Sequence, residues 1–440
     1  MLTKVSRRAA QPLDERPSTA AWWLSIYVVI SVGRLTELLP FAHSLPLAKV
    51  AFAIVLIAAF RGRGGVSAVS LWSIDLARAA GYFAALVVFS FVFSVWKSSS
   101  LNFIVGPFLT LALGFFVSVK ILAWWRDIRA VLKALAVVGL ILAVEMLARY
   151  SGGRAVVESS YDTNDLAYVL MGVLPITLAF GVVSAGARRY FWFGNAVIIA
   201  TAGLLTQSRG GLLALAAIMA LLVWNPLRLP AVNAGARARS GLVPRALLAV
   251  LLSLTVWTQL PADAQHRLGL LFSLQNDYNT NLSEQSGRYS IWLRNVVAGL
   301  ERPIGYGVAS FEFVDGSTGG RYKAPHNSVI EVFVELGFLG LVLWLRLWLL
   351  SWRSLAPPLA VSATVESAAA QRQRREQSVF MHALRISLVA LFIGGFFLSQ
   401  AYSLIFWQLC AVCAASGVLH GVATKSAPAV SRPRHYGVRR

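Results

Sequence analysis

Arg209 is the first of three basic residues whose surroundings suit an anionic, lipid-attached substrate. It lies in segment 206–211, between two apolar stretches, and Gly210 and Gly211 follow it directly. Glycine lets a backbone approach a ligand closely, and a guanidinium binds phosphate oxygens bidentately and stays charged. An arginine that snorkels to lipid headgroups is the alternative, and this segment alone leaves both open.

Arg288 lies at the start of a second segment, 287–300, which has the spacing of an amphipathic helix and also carries Arg294. Tyr and Trp favour the interface between hydrocarbon and water. We therefore expect this helix to lie on the outer membrane surface and to aim Arg288 at headgroups, with a purely structural surface helix as the alternative. The predicted apolar stripe consists of Tyr289, Trp292, Val296 and Leu300.

His326 precedes Asn327 and Ser328 at the start of an apolar stretch. An imidazole with an ordinary pKa near 6.5 transfers protons at neutral pH. Asn327 or Ser328 is predicted to cap the following helix, whose N-terminal dipole favours an anion nearby. A structural histidine at the interface is the alternative.

Glu331 and Glu335 follow Asn327 at intervals of four residues, on one face of the same predicted helix. A carboxylate deep in a membrane costs about 2.5–3.5 kcal/mol or more. Glu335 is therefore predicted to have a partner, and Arg34 and Lys49 are two guesses.

Asp162, Asn164 and Asp165 lead into another apolar stretch. They suit recognition of sugar hydroxyls or of a divalent cation, but two carboxylates without further acids or histidine are weak support for a metal. The alternative is helix capping by Asn164 or Asp165.

The chain as a whole has the composition of an integral membrane protein. Of its 440 residues, 57% are hydrophobic and only 13% are charged, whereas soluble domains carry roughly 25% charged residues. The net charge of +21 is dispersed among short loops between apolar stretches, so nucleic-acid binding is not expected. Segment 1–17 is polar and basic, and no cleavable signal peptide is predicted there.

Cys410 and Cys413 are the two cysteines of the sequence, and they lie in an uninterrupted apolar run, 403–419. Their spacing invites a redox or metal interpretation, but no partner ligands accompany them. Packing inside a membrane helix is the expected role.

Twelve apolar stretches are predicted to cross the membrane as helices. Only residues 207–209 separate the seventh from the eighth. If the N-terminus is cytoplasmic, about two thirds of the Lys and Arg residues fall inside, so both termini are predicted to be cytoplasmic. The predicted spans are 20–39, 45–60, 77–96, 101–123, 129–148, 166–185, 190–206, 210–227, 244–260, 327–350, 383–399 and 401–420.

The predicted fold class is an all-α integral membrane protein with about twelve transmembrane helices and one large outer loop that contains short helices. Segment 356–377 lacks apolar periodicity and is predicted to be a mobile linker. The predicted divisions are cytoplasmic tails at 1–19 and 421–440, transmembrane helices one to nine in 20–260, the outer loop 261–326, and the last three helices in 327–420 with a cytoplasmic linker at 351–382.

In their order and spacing, these motifs resemble the O-antigen ligase and polymerase superfamily of bacterial envelope proteins. The strong similarity covers 161–341, whereas the first five spans match only in hydropathy. The motifs do not specify the member. The resemblance depends on segments 206–215 and 326–341, with further similarity in 161–167, 287–292 and 303–307.

The resemblance implies a GT-C-like, inverting glycosyltransferase of the bacterial inner membrane, with a periplasmic active site in the outer loop and neither a metal nor another cofactor. The donor would be a glycan on undecaprenyl diphosphate. The acceptor would be lipid A–core in a ligase, or a second lipid-linked glycan in a polymerase of O-antigen or exopolysaccharide units. Matching positions imply that Arg209 and Arg288 contact the diphosphate and that His326 activates the acceptor.

A ligase is preferred slightly, because the Ser-Arg-Gly-Gly and His-Asn-Ser motifs are typical of that member. A transporter or lipid-linked sugar flippase is the less expected alternative, since it predicts repeat symmetry and charges near the membrane midplane. Membrane lipids are expected as further partners. Substrate contacts are expected from Asp162, Asn164, Asp165, Tyr289, Arg294, Asn327 and Glu331.

Overall fold

The computed structural model describes residues 16–38, 45–61, 70–150, 161–227, 287–355 and 367–426, together with residues 262 and 265. These residues are mainly α-helical, and no strand occurs among them. A helix satisfies its backbone hydrogen bonds internally, which is what a chain crossing hydrocarbon requires. The α-helical class predicted from the apolar stretches is therefore confirmed.

The first half of the described chain contains eight α-helices. A short 3₁₀ segment, Ser90–Phe93, extends α4, and a π-helical segment, Ile104–Phe108, joins α5 to α6. The helices are α1 Thr19–Val32, α2 Leu35–Leu38, α3 Leu47–Arg61, α4 Asp75–Phe89, α5 Lys97–Phe103, α6 Leu109–Ile121, α7 Trp125–Ala148 and α8 Thr163–Val183.

The second half contains the helices that carry most of the predicted site. The break predicted at 207–209 is confirmed, because one helix ends at Leu205 and the next begins at Arg209. The helices are α9 Ala187–Leu205, α10 Arg209–Trp224, α11 Arg288–Glu301, α12 Phe311–Ser317, α13 Ser328–Ser354, α14 Ala368–Gly395 and α15 Leu404–Ser426.

Six candidate spans among the described residues are long and apolar enough to cross a membrane, and three further apolar helices are shorter. This agrees with an integral membrane protein. Twelve spans stays a prediction, because the ninth, 244–260, lies outside the described residues. The first part of the predicted outer loop, 261–286, also lies outside them, except for residues 262 and 265.

The two ends of the helix bundle hold different connections. At one end, which we call the upper end, the Tyr161 hydroxyl donates to Val32 O across 2.8 Å and joins the start of α8 to the end of α1. At the other end, which we call the lower end, Ser18 N donates to Asp127 Oδ1 across 2.8 Å and joins the starts of α1 and α7. The helix α1 therefore runs from the lower end to the upper end, α7 begins at the lower end and α8 begins at the upper end.

The predicted linker is partly helical. Ser367 caps α14 by accepting a hydrogen bond from Ala370 N, so residues 368–377 form its first turns. Ala, Gln and Arg are good helix formers even without an apolar stripe. The ion pair between Arg129 and Glu376, with 2.6 Å between Nε and Oε1, holds these turns against α7. Residues 356–366 lie outside the described part.

A backbone break at Gly337 divides α13. The φ of Gly337 is +67°, a conformation that side chains disfavour. The segment 303–307 fills the break: Phe338 N donates to Pro303 O across 2.9 Å, and Gly307 N donates to Glu335 O across 2.8 Å. A Cβ on Gly337 would lie 2.0 Å from Pro303 O. Glycine is thus required for this close backbone approach.

The α11 helix has two apolar faces. Its inner face, with Ile291 and Ala298, packs against Val334 of α13. Tyr289 and Leu300 lie on the outer face, 50% and 66% exposed, together with Leu293 and Val297. The exposed stripe therefore includes Leu293 and Val297 in place of the predicted Trp292 and Val296, which are half-buried.

Candidate active site

A turn between α14 and α15, residues 396–400, is the centre of the candidate site at the upper end. The hydroxyl of Ser328 donates to Leu398 O across 2.8 Å and accepts from Gln400 N across 2.9 Å. These bonds fix the start of α13 against the 396–400 turn. The functional groups predicted from three separate segments lie around this turn.

His326 precedes α13 and is held in an unusual backbone conformation. Its φ is +47°, in the left-handed region that few residues other than glycine adopt. Its backbone N–H donates to the Ser399 hydroxyl across 3.2 Å. Such a conformation persists only where the surrounding structure holds it, and the Ser399 contact contributes to this.

The electrostatic surroundings of His326 favour its neutral form. Burial lowers the pKa of His326 below its ordinary value, and the positive charges of Arg288 and Lys323 lower it further. The carboxylate of Asp162 acts in the opposite direction and raises the pKa. A neutral imidazole can accept a proton, which is the form that a general base needs.

Asn327 caps α13 and is thus the cap among the two candidates, Asn327 and Ser328, that the sequence predicts. Its Oδ1 accepts from Val329 N across 3.0 Å and from Ile330 N across 3.1 Å. The residue is 4% exposed. Capping is therefore the role that the geometry gives the Asn327 side chain, and substrate contact stays a prediction.

Arg288 is the first residue of α11 and reaches the same turn. Its Nη1 donates to Phe397 O across 3.4 Å. The helix behind it is anchored to the His326 loop, because Trp292 Nε1 donates to Pro325 O across 2.6 Å. Arg288 and His326 are thus positioned by neighbouring residues of the 396–400 turn, Phe397 and Ser399.

Arg209 is half-buried at the start of α10, on another side of the same turn. A Cβ on Gly210 would lie 3.0 Å from the Cβ of Phe397, and one on Gly211 would lie 2.6 Å from the Cβ of Ala167. The two glycines therefore let α10 pack closely against the 396–400 turn and α8. The sequence predicts close approach to a ligand here, and the observed approach is to the protein itself.

Asp162 caps α8, accepting from Asn164 N across 2.6 Å and from Asp165 N across 2.9 Å. The prediction that Asn164 or Asp165 is the cap is thus wrong by two or three residues. Asp165 instead accepts from Gln400 Nε2 across 2.8 Å, which ties α8 to the 396–400 turn. The described residues contain no group of three or more His, Cys, Asp or Glu side chains arranged to hold a metal ion.

Arg294 forms a buried ion pair with Asp315, with 2.5 Å between Nη2 and Oδ1. The other oxygen of Asp315 accepts from Arg321 N across 3.1 Å and from Lys323 N across 3.2 Å. Asp315 is fully buried. Arg294 thus supports, through Asp315, the backbone that leads to His326, and its predicted substrate contact stays untested.

Glu335 finds its partner in Tyr402, whose hydroxyl donates to Oε2 across 3.1 Å. The guesses of Arg34 and Lys49 are wrong, because Arg34 pairs with Glu37 across 3.6 Å and Lys49 lies beside them in a separate pocket. Glu331 lies one turn earlier, and its buried Oε2 has no hydrogen-bond partner among the described residues.

Sequence reasoning missed five residues that take part in the site: Asp315, Phe397, Ser399, Gln400 and Tyr402. One signal was available for the 396–400 turn: Ser399 and Gln400 are polar residues between two apolar stretches. Asp315 offered no such signal, because an acidic residue in a polar loop is ordinary.

Cys410 packs inside α15, where its Sγ accepts a hydrogen bond from the Ser351 hydroxyl across 3.3 Å.

Comparison with known proteins supports the superfamily predicted from the motifs. Residues 194–345 match the family model described as O-antigen ligase. The match begins in α9, ends in α13 and includes Arg209, Arg288 and His326. No curated protein matches the chain significantly. The family and the apolar helices together indicate a multi-pass membrane protein with a glycosyltransferase-like activity on lipid-linked glycans.

Proposed function

We propose, from the O-antigen ligase match of residues 194–345, that this protein transfers a glycan from a polyprenyl diphosphate carrier to an acceptor hydroxyl. The observation that carries the proposal is the arrangement of Arg288, His326 and the start of α10 around the 396–400 turn. Cations beside a neutral imidazole are the groups that this reaction needs.

Arg288 and Arg209 are proposed to bind the diphosphate. When the bond between the sugar and the diphosphate breaks, negative charge builds on the leaving phosphate. Guanidinium groups held in place stabilise the transition state most where that charge develops. Arg288 is held by the Phe397 carbonyl, so little reorganisation accompanies the reaction.

His326 is proposed to remove the proton from the acceptor hydroxyl. The hydroxyl oxygen attacks the anomeric carbon as the diphosphate leaves from the opposite face, which inverts the configuration. The lowered pKa of His326 keeps the imidazole neutral before the reaction, and the nearby Asp162 stabilises the imidazolium that forms. The diphosphate is already a good leaving group, so this scheme needs no metal ion.

Among the other predicted contacts, Tyr289 is the best placed for substrate. It is half exposed and follows Arg288 directly. Asp162, Asn327 and Arg294 have the capping and pairing roles described above, so we propose that they position the site. Asn164, Asp165 and Glu331 are proposed to act in the same supporting way.

We propose the ligase reaction first, with undecaprenyl diphosphate as the carrier and lipid A–core as the acceptor. The Ser-Arg-Gly-Gly and His-Asn-Ser motifs, which resemble those of ligases, support this choice. Polymerisation of lipid-linked repeat units is the second candidate, since its chemistry is identical at the donor. In either case the upper end is proposed to face the periplasm and both termini the cytoplasm, as the distribution of Lys and Arg favours. The membrane is proposed to be the bacterial inner membrane, as the resemblance implies.

Radiolabelled donor lipid and purified protein in detergent test the proposal. A ligase moves the label to lipid A–core in one step, whereas a polymerase lengthens the glycan on the carrier lipid. A flippase would leave the bond between sugar and diphosphate intact. Recovery of only intact donor, with both acceptors present and the protein folded, would overturn the proposed reaction.

A further inference from the structure

A cavity lies at the lower end of the bundle, away from the candidate active site. It has a volume of about 520 Å³ and is formed by the start of α1, the ends of α3 and α6, and the approach to α7. We name it the lower pocket and define it by Trp23, Ile57, Arg61, Lys120 and Arg126. It lies outside the residues matched to the O-antigen ligase family, since none of its lining residues falls within 194–345.

Three cations from three different elements line the lower pocket. Arg61 ends α3, Lys120 lies in the last turn of α6, and Arg126 lies in the first turn of α7. No acidic residue is among the residues that line it. The nearest carboxylate along the chain, Asp127, is 1% exposed and accepts from Ser18 N. The pocket is therefore positively charged.

Aromatic and aliphatic side chains form the rest of the lower pocket. Trp23 and Trp124 line it beside the cations, and Ile57 lines it at 52% exposure. The guanidinium of Arg126 lies 5.9 Å from the ring centre of Trp124, and Lys120 Nζ lies 5.0 Å from that of Phe60. Tryptophan at a helix end is typical of the boundary between headgroups and hydrocarbon.

The cationic half and the apolar half of the lining together fit an amphiphilic anion. A phosphate would bind among Arg61, Lys120 and Arg126, and an acyl chain would continue over Ile57 along α3. A free phosphate would use only the first half of the lining. Basic pockets between transmembrane helices bind anionic lipid headgroups in this way.

We propose that the lower pocket binds an anionic glycerophospholipid of the membrane leaflet opposite to the candidate active site. In the orientation proposed above, that leaflet is the cytoplasmic one. Binding there joins α1, α3, α6 and α7 through one ligand, in the part of the chain that precedes the matched domain.

Native mass spectrometry of the full-length protein with phosphatidylglycerol and phosphatidylcholine tests this site. The wild type is expected to retain phosphatidylglycerol in preference to phosphatidylcholine. Arg61→Ala and Lys120→Ala are each expected to weaken phosphatidylglycerol binding about fivefold, the effect of one surface cation. Lys120→Arg keeps the charge and is expected to restore retention.

Arg188→Ala is the matched control, because Arg188 is an exposed basic residue at the lower end, on α9, that does not line the pocket. Equal lipid retention by Lys120→Ala and Arg188→Ala would overturn the proposal. Displacement of phosphatidylglycerol by millimolar inorganic phosphate would also overturn it, since the site would then belong to a soluble anion. Gel filtration and thermal unfolding check that each variant is folded.

Discussion

The backbone N–H of His326 donates to the hydroxyl of Ser399 across 3.2 Å, although the two residues are 73 positions apart in the sequence. This bond joins the residue proposed as general base to the 396–400 turn. In the same turn, the carbonyl oxygen of Phe397, two residues before Ser399, accepts a hydrogen bond from Arg288. The 396–400 turn therefore sets the relative positions of the two proposed groups.

Replacement of Ser399 tests this positioning role. Ser399→Ala removes one hydrogen bond of about 1 kcal/mol, so we expect kcat to fall about fivefold with little change in KM for the donor. Ser399→Thr keeps the hydroxyl and is expected to restore kcat. A purely structural role would instead lower the thermal stability of Ser399→Ala and leave kcat per folded molecule unchanged.

Replacement of His326 separates its imidazole from its backbone conformation. Asn tolerates the left-handed conformation better than most residues, so His326→Asn is expected to fold normally. Without the general base, transfer should fall about 100-fold or more. Radiolabelled donor in detergent gives the rate, and near-normal product from folded His326→Asn would contradict the role of the imidazole.

Replacement of Arg288 tests the stabilisation of the leaving diphosphate. Arg288→Ala is expected to lower transfer about 100-fold or more while membrane insertion stays intact. Arg321→Ala is the matched control, because the Arg321 side chain is exposed on the loop before His326 and only its backbone binds Asp315. Similar losses in both variants would show a general effect of charge and not a specific site.

The pH dependence of transfer should follow the charges around His326. The rate falls as pH drops through the pKa of His326, because protonation removes the base. Lys323 lowers this pKa and Asp162 raises it. Lys323→Ala should therefore move the acidic limb to higher pH, and Asp162→Asn should move it to lower pH.

Asp162→Asn retains an oxygen that can cap α8, so the comparison does not depend on loss of the helix cap. The measurement is kcat against pH for the wild type and both variants. If the acidic limbs of the two variants shift in the same direction, or do not shift, the assignment of the acidic limb to His326 is contradicted.

Replacement of Gly337 tests the break in α13. Gly337→Ala places a Cβ 2.0 Å from Pro303 O and forces alanine to a φ of +67°. We expect a loss of about 2 kcal/mol or more of stability, measured as a lower midpoint of thermal unfolding in detergent. Gly194→Ala in α9 is the control, since no atom lies within 4 Å of its Cβ position, and an equal loss there would refute the close-approach argument.

The sequence by itself determined the helical class, the break before Arg209 and a helix cap at Asn327 or Ser328. These depend on neighbours within a few residues: apolar length, a glycine pair and a polar residue before a helix. It also identified Arg209, Arg288 and His326 as candidates, because their motifs are local.

Only the tertiary structure decided what these groups contact. The Ser399 partner of His326, the Asp315 partner of Arg294 and the Tyr402 partner of Glu335 join segments 21 to 73 residues apart. Helix packing brings such pairs together, and local spacing carries no information about it. The contact between Arg129 of α7 and Glu376, which holds the helical start of α14 in place within the predicted linker, has the same origin.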